Sequence, residues 1–451
     1  MKKIIYSFVF AFAVLFVSCE SLYDGRDFII YDIEEPEGPE LPEPPKVPEI
    51  GDKGIGIVQN GTWSSKVSNL RGFWHYSWGP NISPKEPDSC EFIPMIWGQW
   101  GINAERAERL KQWKDEGKIR YLLGFNEPDN VDQSNMTVEK AIELWPLLEQ
   151  VGVPLGSPAT VHADNDWMKN FMTQATSAGL RIDFVCVHWY GGNSPQGFLD
   201  HLEYIHDLYG KPIWITEFAI ADWDATTPDE NQYTLDDALY FMQEVLPELE
   251  NRDYIQRYSW FPGDINGGPL SCSALWDGNG VFTKIGDFYA NFEPNNSIGS
   301  GKDDYIYPGE EDNLITNGNF ELGGNDGWSG SNNGIEMGNS NTGYYSGMLK
   351  NNVPSASLLQ VLKVTPGTVF NVSFSAMWRE EGGEMVMEFK NNDDNSSLYK
   401  TAGISSTSWQ TVTDTFTVPP NVTNLKITFY KGEGKPVCLI DDVKVKIETE
   451  N

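Results

Sequence analysis

The sequence is poor in basic residues, cysteine and histidine, and these shortages exclude several classes of function. It has 32 Lys and Arg against 65 Asp and Glu, which gives a formal net charge of −33. A polyanion is repelled by nucleic-acid phosphates and by anionic membrane surfaces, so we expect no nucleic-acid partner. The five Cys and five His form no CxxC or HExxH motif, which argues against a disulfide framework, a zinc site or a catalytic metal. We therefore expect no cofactor for catalysis.

Aromatic residues, by contrast, are abundant. They make up 13% of the 451 residues and include 16 Trp. A chain of this length is expected to form two or three domains. Such an aromatic excess in a protein with neutral partners indicates surfaces on which flat apolar faces can stack.

The N-terminus is typical of an exported lipoprotein. Residues 1–19 carry two lysines, an apolar stretch and a small Ser18 before Cys19, the pattern of a signal peptide that ends in a bacterial lipobox. Cys19 is then the lipidated residue; the alternative is an ordinary cleaved signal. Residues 20–52 are predicted to be a Pro/Glu-rich linker, because residues 31–50 hold six Pro and six Glu. This predicts a cell-envelope protein in the outer membrane that touches the membrane only through its lipid.

Residues 53–293 alternate short apolar runs with helix-length stretches, which is typical of βα units around a parallel sheet. Eight strands in this length predict an α/β fold, a (β/α)₈ TIM barrel, with a flavodoxin-like open sheet as the alternative. Three amphipathic helices are predicted, at 103–116, 138–151 and 235–249. The eight predicted strands are 54–58, 72–76, 91–97, 120–126, 153–157, 183–189, 212–217 and 256–261.

The remaining chain is predicted to be a linker at 294–312 and an all-β jelly-roll sandwich at 313–447. The first segment is rich in Gly, Asn and Ser, and the second has short alternating strands without a helix-period segment. The predicted strands are 358–364, 369–376, 384–389, 409–418, 424–430 and 437–447.

Two glutamates end two of the predicted apolar strands. Glu127 follows Leu123 and Phe125 in the fourth strand, and Glu217 ends the run Ile-Trp-Ile-Thr-Glu in the seventh. Period-two alternation places each carboxylate on the face of the apolar residues before it, at the rim where barrels hold their active sites. Two carboxylates with separated roles are what glycoside hydrolysis needs. The alternative is that each is a solvated or helix-capping residue.

The motifs around these glutamates resemble the catalytic core of glycoside hydrolase family 128, whose members cleave β-1,3-glucans. The resemblance spans nearly all of 54–292 and rests on LLGFNEPD, LGSPA, WMKNF, DFVCVHWYG and PIWITEFA. It implies a retaining mechanism in which Glu127 is the general acid/base and Glu217 the nucleophile. It also implies that Asn126 hydrogen-bonds the sugar 2-hydroxyl.

Further residues are predicted to bind the substrate. His188 and Tyr190 share a face at the end of the sixth strand, where Tyr190 could orient Glu217. The resemblance places Trp260 beneath the cleaved bond. Four more aromatic residues near strand ends could line the glycone side: Trp74, Tyr76, Trp97 and Trp100. For each residue the alternative is a role in core packing.

The C-terminal region resembles carbohydrate-binding modules of the family 4, 9 and 22 type. The resemblance rests on NLITNGNFE at 313–321 and LIDDV at 439–443. It implies a structural calcium ion near Glu321 and Asp441, since oxygen ligands suit that ion. A rigid spacer without sugar binding is the alternative. The candidate sugar-stacking residues are Trp328, Tyr344, Tyr345, Trp378 and Trp409.

These observations predict a monomeric, lipid-anchored enzyme that cleaves β-1,3-glucan in an endo fashion. Within the same mechanism, another β-linked polysaccharide or transglycosylation remains open. A different class is a surface glycan-binding protein with an inactive barrel.

Overall fold

The computed structural model describes residues 51–448 except 352, 354, 382 and 402, and these residues belong to one compact unit, 46–451. The predicted signal peptide, Cys19 and all but the end of the predicted 20–52 linker lie outside the described residues. Within the described part of the chain, no helix combines the length and apolar character needed to cross a membrane.

The N-terminal region is a parallel sheet with helices. The strands are β1 Lys53–Gly56, β2 Trp74–Tyr76, β3 Glu91–Phe92, β4 Val185–Gly191, β5 Ile213–Ile220 and β6 Ile255–Trp260. The sheet order is β3-β2-β1-β6-β5-β4. Short 3₁₀ turns lie at Gln99–Gly101, Pro228–Glu230 and Ser271–Ser273. The helices are α1 Trp63–Leu70, α2 Ala104–Asp115, α3 Val138–Glu149, α4 Asp166–Ala178, α5 Pro195–Tyr209, α6 Leu235–Glu250 and α7 Lys284–Asn291.

The three helices predicted from the sequence are present, because each has both an apolar stripe and a capping residue. Asn103 and Thr137 accept hydrogen bonds from the first turns of α2 and α3. Thr234 and Asp237 form a capping box at the start of α6. Such caps satisfy amide groups that the helix itself leaves unpaired.

Two of the eight predicted strands are not continuous strands. The segments 120–126 and 153–157 make only single parallel bridges: Met95 with Leu123, Leu122 with Leu155, Asn126 with Ala159, and Gly156 with Phe184. Pro154 lies in the second segment and Pro158 directly after it. Neither carries an amide hydrogen, so the ladder is interrupted at both positions.

The strands contribute to two separate hydrophobic clusters. A helix–strand core combines alternate strand residues, such as Ile213 and Ile215, with apolar helix residues such as Trp145. A second cluster, here called the strand-only cluster, contains residues of strands and of the adjoining or singly bridged segments but no helix residue: Trp74, Tyr76, Ile93, Met95, Leu123, Ala159, Phe184, Cys186 and Trp214. The parity of a residue along its strand therefore decides which cluster it joins.

A buried ion pair lies beside the strand-only cluster. Arg257 Nη2 is 2.6 Å from Glu91 Oε2, and both side chains are almost fully buried. Arg120 Nε donates to the other Glu91 oxygen at 2.8 Å. The Arg257 guanidinium also lies over the rings of Tyr121 and Trp214, at 4.8 and 4.5 Å. One carboxylate thus neutralises a cation that aromatic faces also stabilise.

The C-terminal region consists of two antiparallel sheets around a core of its own. The strands are β7 Asn333–Met337, β8 Tyr345–Leu349, β9 Ala356–Lys363, β10 Val369–Trp378, β11 Met385–Asn391, β12 Ser397–Lys400, β13 Gln410–Thr417, β14 Asn424–Lys431 and β15 Cys438–Ile447. One sheet has the order β13-β10-β15-β8-β7 and the other β12-β11-β14-β9. The six strands predicted from the sequence are present, and β7, β8 and β12 are additional. The predicted order of a parallel α/β region before an antiparallel β region is confirmed.

The predicted linker 294–312 is attached to the N-terminal region. The fully buried Asn295 donates to the carbonyl oxygens of Gly72 and Ser89 at 3.2 and 2.7 Å. Asp303 accepts hydrogen bonds from the backbone amides of Ser64 and Ser65 in α1. This segment therefore acts as a docked strap, although it contains no helix or strand among its described residues.

We expect Glu91→Gln to lower the free energy of unfolding by about 3–5 kcal/mol, because it leaves the charge of Arg257 buried without its partner. Urea unfolding followed by tryptophan fluorescence measures the change. The matched control is Glu143→Gln, which breaks an exposed pair with Lys140 and should cost about 1 kcal/mol or less. Equal losses in the two variants would contradict the importance of the buried pair.

Candidate active site

A cavity of about 780 Å³ contains both predicted catalytic glutamates. Asn126 and Tyr190 are also part of its lining, whereas the buried His188 is not, although it contacts both glutamates. The other lining residues are Val58, Trp78, Trp97, Asn130, Gln133, Val161, His162, Trp223, Phe261 and Leu270.

Glu127 reaches the cavity through a left-handed backbone conformation. Its φ is +37°, which is uncommon for a residue with a side chain. The prediction that Leu123, Phe125 and Glu127 share one face is wrong: Leu123 belongs to the strand-only cluster, whereas Phe125 packs against Trp145 in the helix–strand core. Strained backbone of this kind is concentrated at functional sites.

Glu217 reaches the cavity through a β-bulge in β5. Val187 pairs with Ile215 and His188 pairs with Glu217, so Thr216 is an extra residue. Ile213 and Ile215 face the helix–strand core, and strict alternation would have turned Glu217 the same way. The predicted shared face is therefore wrong. The bulge shifts the parity by one residue and directs the carboxylate into the cavity.

His188 lies between the two carboxylates. Its Nδ1 is 3.1 Å from Glu127 Oε1 and its Nε2 is 3.5 Å from Glu217 Oε1. One potential ligand atom from each of the three residues, a ring nitrogen or a carboxylate oxygen, lies within 4.8 Å of the other two. Among the described residues this is the one group of three or more His, Cys, Asp or Glu close enough to share an ion.

Three donors converge on the Glu217 carboxylate. Trp78 Nε1 donates to Oε1 at 2.8 Å. The Tyr76 hydroxyl shares its one hydrogen between this oxygen, at 3.2 Å, and the Thr216 carbonyl, at 3.0 Å. Tyr190 donates its hydroxyl hydrogen to Oε2, as its predicted orienting role requires. Burial, together with the charge of Glu217, holds the pKa of both tyrosines well above the ordinary value, so they remain donors at neutral pH.

Burial and electrostatic interactions shift the pKa values of His188 and Glu127 in opposite directions. Burial lowers the pKa of His188, but the negative charge of Glu217 and the contacts with Glu127 outweigh it and raise the pKa above its ordinary value. Burial likewise raises the pKa of Glu127, but His188 and a hydrogen bond from Asn130 outweigh it and hold the pKa below its usual range. The pair therefore stabilises its charged forms mutually.

Three predicted sugar platforms are buried in the protein. Trp74, Tyr76 and Trp260 are all fully buried, so the predictions that they contact sugar are wrong. Trp74 and Tyr76 belong to the strand-only cluster. Trp260 has the opposite parity and packs against Phe218 in the helix–strand core. A buried ring has no face left for a pyranose.

The other two predicted aromatics are exposed. Trp97 lines the cavity and is 37% exposed. Trp100 is 87% exposed but does not line this cavity; it borders a separate one next to the C-terminal region. Asn126 lines the cavity, and its Oδ1 has no hydrogen-bond partner among the described residues. Its predicted contact with a sugar hydroxyl stays a prediction.

Three aromatic residues that line the cavity were not predicted from the sequence. Trp78, Trp223 and Phe261 lie two, three and one residues beyond the ends of β2, β5 and β6. Active sites of parallel α/β folds form just beyond the carboxyl ends of strands. An aromatic residue in such a position is therefore the signal that could have found them.

The candidate residues of the C-terminal region are mostly buried. Trp328, Tyr345 and Trp378 are at most 6% exposed, so the predictions that they stack on sugar are wrong. Tyr344 is half-buried beneath the Arg109 guanidinium, which lies 4.0 Å from its ring centre. Trp409 is partly exposed, and its role stays a prediction.

The predicted calcium ligands are held by backbone amides. Glu321 Oε1 accepts hydrogen bonds from the amides of Tyr344 and Tyr345. Asp441 Oδ2 accepts from Asn341 and Thr342. Burial raises the pKa of Asp441 to about 7. A bound cation would stabilise the charged form of such a carboxylate. The calcium ion stays a prediction.

The sequence of residues 55–289, just over half of the chain, matches the family model described as glycosyl hydrolase catalytic core. The chain belongs to this family. Residues 312–437 match a second model, described as carbohydrate binding domain. The assignment of a glycosyl hydrolase core followed by a carbohydrate-binding domain is therefore confirmed.

Individual members of the glycosyl hydrolase family are also similar to the chain. Alkali-sensitive linkage protein 1 of Schizosaccharomyces pombe is 31% identical over 229 residues, which are 48% of this chain and 39% of that relative. The chain thus spans well under half of that relative's length. The family 128 subgroup I endo-β-1,3-glucanase of Amycolatopsis mediterranei, solved with laminaritriose, is 30% identical, with 53% of this chain and 98% of that chain covered and a TM-score of 0.47. The subgroup II endo-β-1,3-glucanase of Pseudomonas viridiflava is 29% identical, with the same coverage and a TM-score of 0.43.

We expect His188 to keep its proton to a higher pH than an ordinary histidine, and Glu217→Gln to lower its pKa. NMR titration of ¹³Cε1-labelled histidines measures both effects. His201 is the internal control, because burial lowers its pKa. The stabilisation from charged His188 is full below about pH 6.5 and is lost as the pH rises through its raised pKa. A His188 that titrates below His201 would contradict this account.

Calcium is expected to raise the melting temperature of the protein at pH 8, where Asp441 is charged, and to have less effect at pH 5. Thermal unfolding with excess Ca²⁺ or with EDTA measures the difference. The double variant Glu321→Gln, Asp441→Asn should lose the response. An equal response in that variant would place any bound ion elsewhere.

Proposed function

We propose that the chain is a retaining β-1,3-glucan hydrolase in which Glu127 is the acid/base and Glu217 the nucleophile. One observation carries the proposal: oxygens of the two carboxylates lie within 4.8 Å of each other in one cavity. Retaining glycosidases hold their carboxyl groups about 5–5.5 Å apart, whereas inverting enzymes leave about 6.5–9.5 Å for a water molecule. The short separation supports retention.

The reaction proceeds in two displacements. A Glu217 oxygen attacks the anomeric carbon while Glu127 gives its proton to the departing glycosidic oxygen, which yields a covalent glycosyl intermediate. Glu127 then takes a proton from water, and the resulting nucleophile releases the sugar from Glu217. The hydrogen bonds from Tyr76, Trp78 and Tyr190 hold the attacking carboxylate in one orientation.

The low pKa of Glu127 in the free protein has to rise before Glu127 can act as an acid. A sugar in the cavity removes water from the half-buried Glu127, and desolvation favours the neutral carboxyl group. His188, 3.1 Å away, is the neighbour whose charge holds that pKa down. We therefore treat Glu127 and His188 as a coupled pair whose proton moves to Glu127 when substrate binds.

The β-1,3 linkage and endo action are inferred from sequence. The motifs that contain Glu127 and Glu217 resemble family 128, and the relatives with 29–30% identity are named endo-β-1,3-glucanases. Three partly exposed rings around the cavity, Trp78, Trp97 and Trp223, suit the apolar faces of glucose units.

Closure of the sheet into a (β/α)₈ barrel is part of the proposal. The single bridges run from Met95, shortly after β3, through 122–126 and 155–159 to Phe184, directly before β4. They support a ring that joins the two edges of the six-stranded sheet. The strand-only cluster supports it too, since a closed barrel is filled by residues from its strands alone.

The remaining features of the proposal concern the whole protein. We assign the catalytic domain to 53–293 and the carbohydrate-binding-like sandwich to 313–447, joined by 294–312. The protein is a monomer, anchored in the outer membrane through Cys19, and needs no metal for catalysis. A β-glucan is its partner.

Glu217→Ala and Glu127→Ala should each lower laminarin hydrolysis by about 10²–10⁴-fold or more. Reducing-sugar release measures turnover, and circular dichroism verifies folding. The matched control is Glu244→Ala, which removes an exposed carboxylate of α6. NMR of the first product should show the β-anomer; an α-anomer would mean inversion.

The same experiment separates the alternatives. Wild-type protein that binds laminarin without cleaving it would be a glycan-binding protein with an inactive barrel. Cleavage of another β-glucan but not of laminarin would keep the mechanism and change the linkage. Full activity in either glutamate variant would refute the catalytic assignment itself.

A further inference from the structure

The active-site cavity is adjacent to a second cavity that both regions of the chain line. This second cavity has a volume of about 670 Å³. We call it the junction groove and define it by Val58, Asn60, Ser77 and Asn81 on the N-terminal side and by Asn325 and Gly327 on the C-terminal side. Val58, which is 56% exposed, lines both cavities.

The loop after β2 also connects the two cavities. Trp78 lines the active site and donates to Glu217, and its neighbours Ser77 and Gly79 line the junction groove. A chain that leaves the active site past Trp78 and Val58 therefore enters the groove directly.

The lining of the groove is neutral and rich in hydrogen-bonding groups. Asn60 and Asn325 are exposed on opposite walls. The two charged residues in the lining, Lys85 and Asp326, pair with each other at 2.9 Å and are at most 8% exposed. In a protein with a net charge of −33, such a surface suits a neutral ligand with many hydroxyl groups.

The two walls are fixed to each other. The nearly buried Lys85–Asp326 pair crosses the junction, and Asn81 Nδ2 donates to the Gly323 carbonyl at 3.0 Å. On another part of the junction, Arg109 of α2 lies over Tyr344. A groove whose walls are held before binding loses little entropy when a ligand enters.

We propose that the junction groove binds the part of a neutral β-glucan chain that extends beyond the active site. The inference rests on the proposed function, because the ligand is the continuation of that substrate. The C-terminal region then serves as a wall of the substrate cleft. Trp328 belongs to this wall but is only 6% exposed, so the exposed polar residues supply most of the contacts.

Filling the groove from either wall tests the proposal. Asn60→Trp and Asn325→Trp should each lower kcat/KM on laminarin about tenfold relative to kcat/KM on laminaritriose, because about two hydrogen bonds to the longer chain are lost. The matched control is Asn392→Trp, at an exposed position after β11. An unchanged laminarin-to-laminaritriose ratio in either folded groove variant would overturn the inference. Since the substitutions lie on opposite walls, one folded variant is enough to decide.

Binding separates failure of the groove from failure of the proposed function. If the wild-type protein cleaves neither substrate, the hydrolase proposal fails, and affinity electrophoresis in laminarin gels then tests the groove. Retardation that is lost in both groove variants and kept in Asn392→Trp supports it. Equal retardation in all proteins, or none in the wild type, overturns it.

Discussion

The site depends on one extra residue in a strand. Thr216 shifts the register of β5 against β4, and the shift turns Glu217 away from the helix–strand core that Ile213 and Ile215 enter. Without it, the carboxylate would point toward apolar helix side chains, where an unpaired charge is very costly. With it, the carboxylate meets Tyr76, Trp78 and Tyr190, which donate hydrogen bonds to it. Bulges of this kind are recurrent devices for aiming a side chain.

His188 explains how two acidic groups tolerate their closeness. It is almost completely buried, yet contact with Glu127 and Glu217 raises its pKa. A cation placed between two anions offsets their repulsion, and the same cation lowers the pKa of Glu127. The acid/base role proposed for Glu127 therefore depends on what enters the cavity, because a bound sugar changes the solvation that sets this balance.

The C-terminal region is structurally coupled to the catalytic region. The docked 294–312 segment, the Lys85–Asp326 pair and the Arg109–Tyr344 contact leave little freedom between the two. Its aromatic residues largely serve its own core. The junction, where polar side chains of both regions are exposed side by side, is therefore a better place to look for ligand contacts than the rings that composition first suggested.

Strand alternation and amphipathic helix patterns, both local properties, were enough to predict α2, α3 and α6, the parallel region, and the convergence of the two glutamates on one site. They could not predict which way a side chain faces, because parity along a strand holds only while the ladder is regular. The bulge at Thr216 reverses the alternation of side chains for Glu217. At Glu127 the left-handed backbone conformation, and not the alternation, sets the direction of the side chain. Trp260, which the family resemblance placed beneath the cleaved bond, is directed by its position in β6 to the helix–strand core instead. The sequence thus determined which residues are present near the strand ends, whereas the tertiary structure decided which of them meet, since hydrogen-bond register between distant strands fixes direction.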